Sequence, residues 1–316
     1  MKNLFAETIE AMRRKQVQEW ALAKANYENL EGVETKGIKL GNSSFIIQFN
    51  PKRILSSAAK VDSKSIMERK CFLCKENLPV EQIGNDFVGR YIVLVNPYPI
   101  FPKHLTIPGY VHEPQKILGK LTDMLELARN LDDYVVFYNG PKCGASAPDH
   151  FHFQAGNKGF LPLETGFSLL KKKVFVEEEG IAVSLLAEYP CPALAIESRN
   201  IKLIEEYFLE IYNLLEIKED EYEPMMNIVA WYGEEGFKLC IFPRAKHRPS
   251  CYFAEGEKNI LISPASVDMG GVFITPRQAD FENITATDLG NIIQEVCMDA
   301  NSLEKIAYHL KNKKAQ

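Results

Sequence analysis

The segment NGPKCGASAPDHFHFQAGNKG, Asn139 to Gly159, sets two of the chain's six histidines one residue apart, with Gln154 two places after the second. Successive side chains of an extended strand point to opposite faces. A strand over residues 150–155 therefore puts His150, His152 and Gln154 on one face and Phe151, Phe153 and Ala155 on the other. The aromatic face anchors such a strand in a core, and the polar face lines a site. An imidazole titrates near neutrality, so it keeps an unprotonated nitrogen for use as a nucleophile or a metal ligand. One histidine here reads as an ordinary packed residue; three alternating polar side chains point to chemistry.

The flanking sequence supplies a fold around this strand. DYVVFYNG, just upstream, has strand composition, and EPQKILGKLTDMLELARNLDD before it places Ile117, Leu118, Leu121, Met124, Leu125 and Leu127 on one helical face. RYIVLVNPYPIFPKHLTIPGYVHEPQ reads as a buried strand, a proline-rich turn and a second short strand. IKLGNSSFIIQFNP alternates around Phe45, Ile47 and Phe49, as a half-buried strand does. The first 30 residues carry Leu4, Phe5, Ile9, Met12, Val17, Trp20 and Leu22 at helical spacing, so one amphipathic helix packed on the body is expected.

Residues 160–198 read as strands and turns, with Lys171 to Lys173 a solvated strand entry, and NIKLIEEYFLEIYNLLEI as an amphipathic helix. Later, MMNIVAWYGEEGFKLCIFPRAKHRP resembles a hairpin, followed by GGVFITPR and the helical TATDLGNIIQEVCMD. Strand, turn, strand ending in TIP or ITP, then helix thus occurs in both parts. The expected class is α+β, with two related halves, each a mainly antiparallel sheet with packed helices, divided as 1–200 and 201–316. Neither a GxGxxG fingerprint nor a GxxxxGK[ST] loop occurs, which disfavours Rossmann and P-loop nucleotide sites.

Composition narrows the partners. A net charge of −5 argues against broad nucleic-acid binding, which calls for a basic excess or stripe. No apolar run approaches the roughly 18 residues of a membrane span. The N-terminus lacks a signal peptide's apolar core, and seven cysteines, most of them scattered, do not form a secreted disulfide framework. A reducing cytoplasm is the expected setting.

GAS followed by HFHFQ resembles the histidine-triad superfamily, whose motif alternates three histidines with apolar residues. It is similar in particular to the transferase branch with glutamine in third place, which includes galactose-1-phosphate uridylyltransferase, diadenosine tetraphosphate phosphorylase and the GDP-L-galactose phosphorylases. The resemblance implies that His152 attacks the α-phosphate of a nucleotide to form a covalent nucleotidyl-histidine, that Gln154 donates its amide to phosphate oxygen, and that Ser146 hydrogen-bonds the phosphate. Asp149 adds one residue between the serine loop and the first histidine relative to the uridylyltransferase pattern. An amide is no general acid, so the leaving group is expected to be a good anion already, a phosphate or a sugar 1-phosphate.

Cys71 and Cys74, in RKCFLCKENL, have the i, i+3 spacing that lets two thiolates share a metal. In the uridylyltransferases two cysteines, a histidine after the P-x-H strand end and the first triplet histidine bind metal. That resemblance implies a zinc ion on Cys71, Cys74, His112 and His150, with His104 as the alternative third partner. The zinc would orient His150 and thereby the neighbouring nucleophile.

Substrate contacts are expected from Asn50 and Arg53 in QFNPKRILSSAAK, from Asn139, Lys142 and Gly144 around the serine loop, and from Arg244 in the basic stretch FPRAKHRP. The implied substrates are a nucleotide sugar with phosphate or a sugar 1-phosphate, and the resemblance also implies a homodimer. Two other readings stand beside this one: a dinucleoside polyphosphate phosphorylase, and a zinc-stabilised nucleotide-binding protein without turnover.

Overall fold

A computed structural model describes residues 3–54 and 63–313. The leading segment forms two helices, α1 (Leu4–Glu19) and α2 (Ala21–Glu31), where one was expected. Trp20 breaks them apart: its backbone is extended (φ −84°, ψ 108°), its N–H closes α1 on the Gln16 carbonyl, and its ring is buried. Ile9 reaches the core, while Leu4 and Leu22 on the presumed apolar face lie in solvent. The hairpin β1 (Glu34–Leu40) and β2 (Ser43–Phe49) follows.

The remaining strands build one large sheet twice over. The first unit runs β3 (Asn85–Phe87), β4 (Tyr91–Val95), β5 (His104–Pro108), helix α3 (Leu121–Asn130), β6 (Tyr134–Asn139) and β7 (His152–Asn157). The second runs β8 (Lys172–Glu178), β9 (Ile181–Leu186), β10 (Leu194–Ser198), helix α4 (Ile201–Leu214), β11 (Met226–Gly233) and β12 (Gly236–Pro243). Strand order is 3-4-5-7-6 in one and 8-9-10-12-11 in the other, so the connectivity is the same. The units join where β6 pairs antiparallel with β11, giving a continuous ten-stranded antiparallel sheet.

This α+β repeat differs in register from the one expected. HLTIP in β5 corresponds in strand order to LAIES in β10, and the ITP of β13 (Val272–Thr275) pairs parallel with β2 in a separate three-stranded sheet, β1-β2-β13. The strand order turns over between Asn157 and Lys172, whereas a division at residue 200 would part β10 from α4. TIP and ITP are similar strings, but hydrogen-bond order defines the unit.

Each face of the ten-stranded sheet buries a different layer. Helices α1, α3, α4 and α6 (Ala300–Lys313) cover one face and pack on Leu105, Ile107, Tyr138, Phe151 and Phe153. The small sheet and α5 (Ala286–Val296) cover the other, against Phe137, Val229, Cys240 and Phe242. Thr285 caps α5 in a capping box with Asp288, which explains its sharp start in TATD. On this second face the two units part company. Where β7 presents His152 and Gln154, β12 presents Cys240 and Phe242, so the second unit spends the same surface on core.

Candidate active site and metal cluster

Phe151, Phe153 and Ala155 point into the helical core, so strand geometry turns His152 and Gln154 to the opposite face, as the alternation predicts. The regular strand begins only at His152. Just before it, the Phe151 N–H donates to the Glu113 carbonyl (2.7 Å), and the Phe151 carbonyl accepts from Gly109 (2.9 Å). The nucleophile candidate is thus at the first residue of a strand, next to a loop.

The imidazole of His152 has a defined tautomer. Its Nδ1 lies 2.8 Å from the carbonyl oxygen of His150, which can only accept, so Nδ1 carries the proton and Nε2 keeps its lone pair. Burial pushes its pKa down to about 4, which keeps the ring neutral at ordinary pH.

Gln154 is oriented by a residue outside the motif. The backbone N–H of Ile100 donates to Nδ1 of His104 (3.1 Å), so the His104 proton sits on Nε2 and donates to Oε1 of Gln154 at 3.0 Å. With its oxygen committed, Gln154 has its amide hydrogens to offer. Burial, assisted by the positive charge of Arg53, pushes His104 down to about 3, so it stays a neutral donor.

His104 lies apart from the thiols, with both its nitrogens engaged by Ile100 and Gln154. His112 takes the place of third metal partner. Nδ1 of His112 lies 3.1 Å from Sγ of Cys74, and Nδ1 of His150 lies 3.2 Å from Sγ of Cys71 and 3.5 Å from Sγ of Cys74. One ligand atom from each of the four lies within 4.8 Å of every other. A tetrahedron with zinc–sulfur and zinc–nitrogen bonds has sulfur–nitrogen edges of about 3.6 Å, so the donor set fits a zinc ion. Nε2 of His150 also donates to the Gly109 carbonyl (2.8 Å), which turns the Nδ1 lone pair to the thiols. Arg69 holds Asp149, the additional residue before His150, at 3.0 Å.

The other expected residues divide. Asn50 and Arg53 sit where the end of β2 meets the β4–β5 turn that also positions His104: Asn50 Nδ2 approaches the Pro99 carbonyl (3.4 Å) and Arg53 Nη1 donates to the Tyr98 carbonyl (2.9 Å). That is the only hydrogen bond of the Arg53 guanidinium among the described residues. Ser146 gives its carbonyl to Arg69, and its hydroxyl has no partner among the described residues. Gly144 (φ +97°) allows a close approach of a different kind from the one expected. A Cβ there would stand 2.4 Å from that of Ala265, so the glycine admits the 263–266 loop of the second unit.

Three expected contacts are committed to the protein itself. Oδ1 of Asn139 accepts from Ser266 N–H (2.8 Å) and from Asn227 Nδ2 (2.9 Å). Lys142 is ion-paired with Glu221. Arg244 is 3% exposed and donates all five N–H groups: Nε to the Val296 carbonyl, Nη1 to Asn227 Oδ1 and the Pro264 carbonyl, and Nη2 to the carbonyls of Lys246 and His247. No donor of Arg244 remains for a phosphate. Asn227 in turn holds the Cys143 carbonyl (2.7 Å), so Arg244 braces the serine loop from beneath.

Comparison with known proteins adds the relationship. The family model described as Domain of unknown function (DUF4922) matches residues 12–157, and the one described as GDPGP1-like, C-terminal domain, matches residues 168–316. No curated protein sequence matches the chain. The crystal structure of yeast Ap4A phosphorylase Apa2 is similar with a TM-score of 0.61 at 14% identity, over 94% of this chain and 95% of that one. Its complex with Ap4A gives 0.63 at 14% identity, over 94% and 98%. Along nearly its whole length the chain therefore has the fold of that phosphorylase, with the His-Phe-His-Phe-Gln segment running into β7 of the large sheet.

Proposed function

We propose that the protein is a nucleotidyltransferase that passes a nucleoside monophosphate through Nε2 of His152, taking it from a nucleoside diphosphate hexose and delivering it to inorganic phosphate or a hexose 1-phosphate. The observation that carries this reading is the tautomer. A neutral imidazole with its proton tied to the His150 carbonyl presents the unprotonated Nε2 that nucleophilic attack requires. In the first step Nε2 bonds to the α-phosphorus while the bond to the leaving sugar 1-phosphate breaks and its electron pair leaves on oxygen. In the second an oxygen of the acceptor phosphate bonds to phosphorus and the nitrogen–phosphorus pair returns to Nε2.

Gln154, turned by His104, stabilises the charge on the non-bridging oxygens in both steps by donating its amide hydrogens. Arg53 supplies positive charge on the same side as His104, and the Ser146 hydroxyl a further donor. Zinc on Cys71, Cys74, His112 and His150 would supply a fixed cross-link that holds His150, and so the carbonyl that binds His152 Nδ1.

The HFHFQ motif, which resembles that of the GDP-hexose phosphorylases, favours a GDP-hexose. Likeness to the Ap4A phosphorylase along the whole chain favours a dinucleoside polyphosphate as the second reading. A panel of GDP-, UDP- and ADP-hexoses and dinucleoside polyphosphates, each with and without inorganic phosphate, separates them. Non-acidic intact-mass measurement should show a nucleotidyl adduct lost in His152→Asn, with turnover that needs phosphate. If no substrate gives an adduct or phosphate-dependent turnover, the chain is a nucleotide-binding protein instead.

A further inference from the structure

Gln115 is fully buried and belongs to none of the motifs, yet its side chain is spent on the nucleophile's backbone. Its Oε1 accepts from the His152 N–H (2.8 Å), and its Nε2 donates to the His152 carbonyl (2.9 Å) and to the Asn139 carbonyl (3.0 Å). The amide thus pairs with His152 as a neighbouring strand would, on the side where the pairing of β7 with β6 has ended at Gln154, while Pro108 of β5 flanks the other side. Its own backbone N–H is fixed to the Pro148 carbonyl (3.0 Å), in the loop that leads to His150.

We infer that Gln115 is a positioning residue for His152: it sets where the strand starts, and hence the registry between the imidazole Nδ1 and the His150 carbonyl that leaves Nε2 unprotonated. The inference deepens the proposed nucleotidyl transfer, but its main consequence, a single His152 tautomer, does not depend on any substrate. Only three hydrogen bonds hold the backbone of residue 152 to this side chain and, through it, to the end of β6. Without them the ring is free to slip relative to its acceptor. A misplacement of even ~1 Å in a reacting group costs on the order of a hundredfold in rate.

The test replaces the amide with a side chain of similar length that cannot hydrogen-bond, Gln115→Met, with Gln115→Asn, which keeps the amide but withdraws it by one methylene, should the first fail to fold. Nitrogen-15 spectra of histidine-labelled protein, with His152 assigned by its absence in His152→Asn, report the tautomer directly. We expect one Nδ1-protonated form in the parent and a mixture in the variant. Formation of the nucleotidyl-histidine at saturating nucleotide should slow on the order of tenfold to a hundredfold, with KM within about threefold and metal content unchanged. A folded variant with the parent tautomer and rate overturns the inference. So does one that loses metal while keeping the tautomer, since Gln115 would then serve the His112 segment alone. If the parent forms no nucleotidyl adduct, the functional reading falls while the nitrogen-15 spectra still decide the role of Gln115.

Discussion

The two side chains that carry the proposed chemistry, His152 and Gln154, owe their states to neighbours that the motif does not contain. His104 is the clearer case, because it fixes which end of the Gln154 amide faces the substrate. His104→Leu keeps the bulk and removes the donor. The amide is then free to turn, and formation of the nucleotidyl-histidine should slow by about tenfold or more, with binding of nucleotide little changed; stopped-flow or quench measurements at saturating substrate read this. Burial holds His104 near 3, so its N–H is present throughout the range from pH 5 to 8 and the orientation of Gln154 should not titrate there. At this scale the sequence was most informative about His152 and Gln154, since a period of two needs no tertiary knowledge. It kept His104 as an alternative to His112, because nothing in FPKHLTIPGYVH distinguishes a ring enclosed in a strand from one that overhangs a CxxC loop.

Among the elements, the segment 109–115 and the loop 148–152 are laced together by the Gly109, Phe151, Glu113 and Gln115 hydrogen bonds, and the cysteine and histidine cluster crosses the same gap through His112 and His150. Purified protein should therefore contain about one zinc per chain, and Cys71→Ser should lose it. The rate of adduct formation should fall with it, and elemental analysis beside a thermal melt tests this; retention of full activity without metal would show the cross-link to be dispensable. A second linkage lies beneath the site. Glu223 is buried with its carboxylate against the Tyr138 hydroxyl and the Ile117 N–H (2.8 Å), joining β6 to the approach of α3. Burial raises its pKa to about 7, outweighing these hydrogen bonds. The folded state then holds a proton between pH 4.5 and 7 that the unfolded chain has released, so this contribution to stability is complete below about 4.5 and is lost as pH rises through 7. Relative to Glu223→Gln, the parent protein should lose up to about 3 kcal/mol over that window, as measured by urea denaturation at several pH values. Equal pH dependence of the two proteins would remove Glu223 from the account.

At the scale of the whole molecule the second unit has no histidine pair of its own and serves the first as a brace. Much of the architecture was legible: the strands and helices around the motif have clear periodicity, and two related α+β units follow from them. The repeat register was not, because TIP and ITP look alike as strings while β13 leaves the large sheet to pair with β2. Nor was the role of Arg244, since a sequence shows charge but not burial, and FPRAKHRP reads as a basic surface. The surface reading and the bracing reading part experimentally. If Arg244 contacts phosphate, Arg244→Met should raise KM and leave stability close to that of the parent. As a brace, its removal strands the buried acceptors on Asn227 and Pro264, and leaves Asn227 unsupported against Cys143. One unsatisfied buried group costs roughly 1 to 3 kcal/mol, so the variant should lose on the order of 3 kcal/mol or more in urea. Lys246→Ala removes a neighbouring exposed charge paired with Glu295 (2.7 Å) and should cost under about 1 kcal/mol. The contrast between the two variants, with adduct formation slowed only in the first, is what a second unit built to hold the serine loop requires; equal stabilities would return Arg244 to the substrate.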